Sequence, residues 1–147
     1  MGNLYACIFY HSRHLIGLAI LAFNATQRRP AKEIISRSHC LLVNYTAAPV
    51  YAGDRTRGRH EWLVEFSKMP DSVEQFADTL DRNLRKVNSD YDAKRSRDIF
   101  LDRLSVVQAP AGLFDRWLAS TGKLGGQRKV PRLSNDRHVI ESMLGLM

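Results

Sequence analysis

Apolar and polar positions change their spacing several times along this 147-residue chain, and each change marks an element. Residues 41–52 (L-L-V-N-Y-T-A-A-P-V-Y-A) alternate as a strand does, with Val43, Tyr45 and Ala47 on one face and Asn44 and Thr46 on the other. Pro49 has no N–H to give to a ladder, so it predicts a sheet edge or a bend. Gly53 through Gly58 reads as a turn that carries Arg55, Arg57 and Arg59 into solvent. Residues 60–66 (H-E-W-L-V-E-F) alternate again, with Trp62, Val64 and Phe66 on one face. Glu61, Leu63 and Glu65 take the other, and both carboxylates are expected to meet solvent. Two alternating runs around a glycine-bounded turn predict an antiparallel hairpin.

The spacing then lengthens. Pro70, Asp71 and Ser72 open a helix, with Asp71 as the expected cap and Glu74 placed as in a capping box. Val73, Phe76, Ala77, Leu80, Leu84 and Val87 recur at helical spacing and form one apolar stripe, which is core rather than a cofactor pocket. Asp78, Asp81, Arg82, Arg85 and Lys86 are expected to face out. Residues 88–98 predict a turn and a short helical piece, in which Tyr91 anchors the core with its hydroxyl bonded. A third strand falls within 99–109, with Leu104, Val106 and Gln108 opposite Ser105 and Val107, and Pro110 ends it. A helix over 112–121 buries Leu113, Phe114, Trp117 and Leu118, with Gly122 as its C-terminal cap. A last helix over 136–146 turns Val139, Ile140, Met143 and Leu144 inward. Strand–strand–helix–strand–helix–helix predicts an α+β fold, a small mostly antiparallel sheet packed by helices. Before residue 42 the pattern is less definite. Residues 4–10 have strand-like composition, 15–23 form an apolar run that suits either a strand or a helix, and 31–39 suit a helix.

Composition sharpens this picture only in places. Hydrophobic residues make up 44% and charged residues 25%, a globular balance at a length that suits one domain. A net charge of +7 favours an anionic partner: a nucleotide, an acidic substrate, nucleic acid or a membrane surface. Basic and acidic residues interleave through the second half, which describes a generic basic surface rather than a dedicated tail. The apolar run at 15–23 is too short to cross a bilayer, and no small-residue cleavage pattern follows it. Cys7 and Cys40 form neither a disulfide framework nor a metal pattern, which fits a reducing cytoplasmic setting. His11, His14, His39, His60 and His138 show no ligand spacing, so no metal site is expected. No nucleophile elbow, metalloprotease helix or phosphate-binding loop of the Walker type occurs, which leaves the chain poorly equipped as a free-standing enzyme.

One stretch concentrates the available chemistry: residues 123–137, K-L-G-G-Q-R-K-V-P-R-L-S-N-D-R. Gly125 and Gly126 allow close approach of backbone to a ligand, and Arg128, Lys129 and Arg132 surround them with positive charge. Pro131 stiffens the exit, and Ser134, Asn135 or Asp136 can cap the helix that follows. A donor-rich cationic turn suits a phosphate or a carboxylate. It equally suits a plain solvated loop.

This stretch, together with N-S-D-Y-D-A-K-R at 88–95 and V-N-Y-T-A-A-P-V-Y at 43–51, resembles the C-terminal part of the GH3 family. These are adenylate-forming acyl-acid amido synthetases related to the auxin-responsive plant enzymes. The motifs occur in the family's order and cover residues 43–147, while 1–42 read as a divergent segment or as sequence ahead of the point where coding resumes near Ala31. The resemblance implies a small domain that closes over an ATP and acyl-adenylate site held by a large N-terminal adenylation domain, which is missing here. It implies ATP and magnesium in the complete enzyme, with a small carboxylic acid and an amine or amino acid as substrates. It places Lys129 where relatives carry a lysine facing the nucleotide. Arg132, Gly125, Gly126 and, less directly, Arg128 then serve nucleotide binding. Arg128 stands where an aromatic residue or histidine is expected, so its role is unassigned. The fragment alone is then inactive. The competing reading is a stand-alone basic module for nucleic acid, which rests on charge alone and lacks the aromatic pattern of an RNA-binding sheet.

Overall fold

The computed structural model describes residues 40–53, 56–96, 101–121 and 129–147. Its sheet has three strands in the order β1 (Leu41–Val50), β2 (Arg59–Lys68), β3 (Ser105–Ala109). β1 and β2 form the expected antiparallel hairpin, and β3 adds alongside β2 in parallel. The helices are α1 (Val73–Val87), α2 (Ser89–Arg95), α3 (Leu113–Ser120) and α4 (His138–Leu144). The α+β expectation therefore holds, with the longer ladder antiparallel.

The period-2 pattern of β2 divides the core between the two faces of the sheet. Trp62 and Val64 pack with Ala47, α1 residues Phe76, Ala77, Leu80 and Leu84, and Tyr91 of α2. Leu63 packs on the opposite face with Ala48, Leu113, Phe114, Val130, Ile140 and Met143. The first face is thus covered by α1 and α2, and the second by α3 and α4.

Several sequence expectations are corrected. Val43 does not share the buried face with Tyr45 and Ala47: the ladder is irregular between Leu42 and Asn44, and Val43 stands 54% exposed while Leu42 packs inward. An extra residue in a strand re-aims the side chains around it. The cap of α1 is Ser72, whose hydroxyl accepts from the Gln75 N–H at 3.2 Å, rather than Asp71. The third strand falls within 99–109 as expected, and what differs from a mostly antiparallel sheet is that it runs parallel to its neighbour. α3 starts at Leu113, and Gly112 caps it with a φ of +74°, a left-handed conformation that a side chain would strain. The proposed cap at Gly122 and the turn residues Asp54 and Arg55 lie outside the described residues.

Three carboxylates expected in solvent are not there. Asp81 is 4% exposed, and it receives the Tyr91 hydroxyl at 2.6 Å and two Arg95 nitrogens at 3.1 and 3.0 Å. Glu65 is 6% exposed and accepts the Gly112 N–H at 2.7 Å, which ties β2 to the start of α3. Glu61 meets Arg137 at 2.6 Å, which ties β2 to the start of α4. Each acid sits where alternation or helical spacing allowed exposure, and each has a partner supplied by a distant element.

Candidate functional site

The free edge of β1 organises the site. Pro49 is paired with His60 across the hairpin, so β1 is an edge strand as the proline predicted. Its outer backbone groups would be left without partners unless something covered them. Residues 131–137 do so. The Ala47 N–H donates to the Arg132 carbonyl at 3.0 Å, and the Ser134 N–H donates to the Ala47 carbonyl at 3.0 Å. Ala47 and Leu133 form a parallel bridge. The Thr46 hydroxyl donates to the Pro131 carbonyl at 2.7 Å, and the Tyr51 hydroxyl to the Asn135 carbonyl at 2.6 Å. Arg137 closes the far end, with Nη1 donating to the Pro49 carbonyl at 3.2 Å and Nη2 and Nε engaging Glu61 and Glu141. Burial lowers the pKa of Arg137, but Glu61 and Glu141 more than reverse this and leave it raised.

The candidate residues sit around this seam. Lys129 is exposed and immediately precedes Val130, which is buried among Ala48, Leu113 and Ile140. Arg132 is exposed, and its guanidinium lies 4.4 Å from the centre of the Tyr45 ring. Its Nη1 donates to the Tyr45 carbonyl at 3.1 Å and to the side chain of Asn44. Tyr45 in turn stacks on Trp62, with ring centres 5.7 Å apart. Arg132 is therefore held by in-chain contacts, and Lys129 is the cation that the seam presents outward beside it. Gly125, Gly126 and Arg128 lie outside the described residues. Asp136 is the member of the expected capping trio that bonds to the helix start, accepting the His138 N–H at 3.0 Å.

Sequence reasoning missed Thr46, Tyr51 and Arg137 as residues of this seam. A buried threonine in a strand followed by proline was the available signal, but its partner lies 85 positions away and left no local trace. Tyr91 was expected to be a core anchor with its hydroxyl satisfied, and the Asp81 contact provides that partner. Among the described residues, no group of three or more His, Cys, Asp or Glu side chains is placed to hold a metal ion, and no helix is long and apolar enough to cross a membrane.

The fold and this seam define a small α+β domain that fastens a basic segment to one sheet edge and displays a lysine at its head. Its sequence matches the GH3 family C-terminal domain over residues 23–138, and the chain belongs to that family. No curated protein matches it. Among solved structures it is similar to the GH3.15 acyl acid amido synthetase, with a TM-score of 0.61 and 16% identity over 90% of this chain and 21% of that one. It is also similar to AtGH3.15 acyl acid amido synthetase in complex with 2,4-DB, with a TM-score of 0.51 and 17% identity over 72% of this chain and 20% of that one. The chain thus spans about a fifth of the length of these structures.

Proposed function

We propose that this chain is the C-terminal domain of an ATP-dependent acid–amine ligase of the acyl-acid amido synthetase type. It works with an N-terminal adenylation domain that holds most of the ATP and acyl site. A carboxylate oxygen of the acid attacks the α-phosphorus of ATP and pyrophosphate leaves, which gives an acyl-adenylate. The amine nitrogen then attacks the acyl carbon, AMP leaves, and the nitrogen gives up a proton to form the amide.

Lys129 is the residue of this chain assigned to the first step. The approaching carboxylate and the α-phosphate are both negative, and an ammonium between them offsets repulsion that grows toward the transition state. The observation that carries the assignment is its position: exposed at the head of a segment fixed to β1, next to a buried Val130. Arg132, with Arg128, Gly125 and Gly126 before Lys129 in the sequence, contributes to nucleotide binding. Magnesium accompanies the ATP phosphates in the complete enzyme, and no ligand to it is assigned to the described residues. The cytoplasm, where ATP is plentiful, is the proposed setting, and the chain alone is expected not to turn over.

The rival reading as an oligonucleotide module rests on the net charge of +7 alone, and Arg57, Arg85, Lys94, Arg95, Arg103 and Arg137 are each paired with a carboxylate rather than gathered on one binding face. The test starts from the DNA on both sides of this coding segment, translated in all frames. The polypeptide that joins this domain to an adenylation domain should release pyrophosphate from ATP only when a carboxylic acid is present, and should form an amide when an amine is added. A folded two-domain polypeptide that releases none across a broad panel of acids counts against the proposal.

A further inference from the structure

Among the side-chain bonds along β1 that the backbone pairing does not require, one comes from a buried hydroxyl. Thr46 is 1% exposed, on the same side of the sheet as Ala48, Leu63 and Val130. A valine would fill this space as well. Its hydroxyl reaches the Pro131 carbonyl at 2.7 Å, the described seam bond closest in sequence to Lys129. We propose that Thr46 is a positioning residue that sets Lys129 for adenylation, an inference that rests on the role given to Lys129 above.

The mechanics follow from the two residues, Val130 and Pro131, that join the bonded carbonyl to the lysine. Pro131 has its φ locked by its ring. Val130, preceding a proline, is confined to extended backbone, and its side chain is buried. Fixing the Pro131 carbonyl therefore leaves few backbone torsions by which Lys129 can drift relative to β1. Freed at that carbonyl, the segment stays held by Val130 in the core and at Ala47 through Arg132 and Ser134, but the hydrogen-bonded carbonyl nearest Lys129 is then that of Arg132, one residue further away. An ammonium that must meet a developing charge loses much of its effect when displaced by about 1 Å.

The experiment compares Thr46→Val, Thr46→Ser, Lys129→Ala and the double variant Thr46→Val/Lys129→Ala in the two-domain ligase, read by acid-dependent exchange of pyrophosphate into ATP. Thr46→Val is expected to lower kcat about tenfold with the KM for the acid little changed. Thr46→Ser, which keeps the hydroxyl, is expected to restore most of the rate. The double variant is expected to be no slower than Lys129→Ala alone, because Thr46 acts through that lysine. A wild-type rate in Thr46→Val while Lys129→Ala is slow overturns the positioning role and leaves the Lys129 reading intact. So does a double variant slowed by both factors multiplied. A wild-type rate in Lys129→Ala overturns the underlying reading instead. Should Thr46→Val fail to fold, Pro131→Ala at that exposed position leaves the Thr46 bond in place but frees φ of residue 131 and the backbone of Val130, which loosens the link between that bond and Lys129. It is expected to slow exchange in the same non-additive way, and a wild-type rate there overturns the inference.

Discussion

Asp81, Arg95 and Tyr91 form a buried trio joined by hydrogen bonds. Burial alone would raise the pKa of Asp81, but the Arg95 guanidinium and the Tyr91 hydroxyl outweigh it and leave the carboxyl below its ordinary range. Burial and the neighbouring Asp81 push the Tyr91 hydroxyl well up, so it stays a donor at any physiological pH. Removing either charged partner would leave the other buried and uncompensated, a loss of about 3–5 kcal/mol. His60 packs 5.2 Å from the Tyr91 ring. Burial, only partly opposed by the charge of Asp81, lowers its pKa from 6.5 to about 4. The unfolded chain therefore binds a proton at His60 between pH 6.5 and 4 that the folded one does not. The contribution of His60 is full above pH 6.5 and declines as pH falls toward 4, by up to about 3 kcal/mol. Urea midpoints at pH 7 and pH 4.5 should therefore differ more in the wild type than in His60→Gln. Equal differences in the two proteins would contradict this.

At the scale of elements, a local cap and a distant partner left different traces in the sequence. The start of α1 was legible to within a residue, since Pro70, Asp71 and Ser72 all signal a helix opening, but two neighbouring side chains could serve as cap. Ser72 holds that place through its bond to the Gln75 N–H. Ser72→Ala is expected to cost about 1 kcal/mol in a chemical melt and Asp71→Ala much less. The reverse order would restore the sequence-based assignment. The hairpin, the apolar stripe of α1 and the inward faces of α3 and α4 followed from periodicity because burial repeats with the backbone. The bulge at Val43, the parallel pairing of β3, the burial of Asp81 and Glu65 and the half-buried ion pair of Glu61 did not. A bulge is a change of register against another strand, and the buried acids depend on Arg95, Arg137 and the Gly112 N–H arriving from elsewhere. The basic stretch at 123–137 was visible as chemistry. Its attachment to β1 was not, because backbone pairing at an edge carries no side-chain signature.

For the molecule as a whole, the net charge of +7 pointed to an anion without saying where one would sit. In the fold six of the basic side chains pair with carboxylates, and Lys129 stands exposed at the head of the seam. A sheet with helices on both faces gives this domain its own two-sided core. The chemistry proposed for it calls for a second domain, and the chain spans about a fifth of the length of its structural relatives. The account turns on Lys129. The most direct measurement is acid-dependent exchange of labelled pyrophosphate into ATP by the two-domain polypeptide, wild type against Lys129→Ala, with folding of both checked by circular dichroism. The expected result is a fall in kcat of about a hundredfold or more, the scale seen when one charge-stabilising donor is removed. An unchanged rate in a folded Lys129→Ala enzyme would remove this lysine from the reaction and leave the domain with a purely structural part in it.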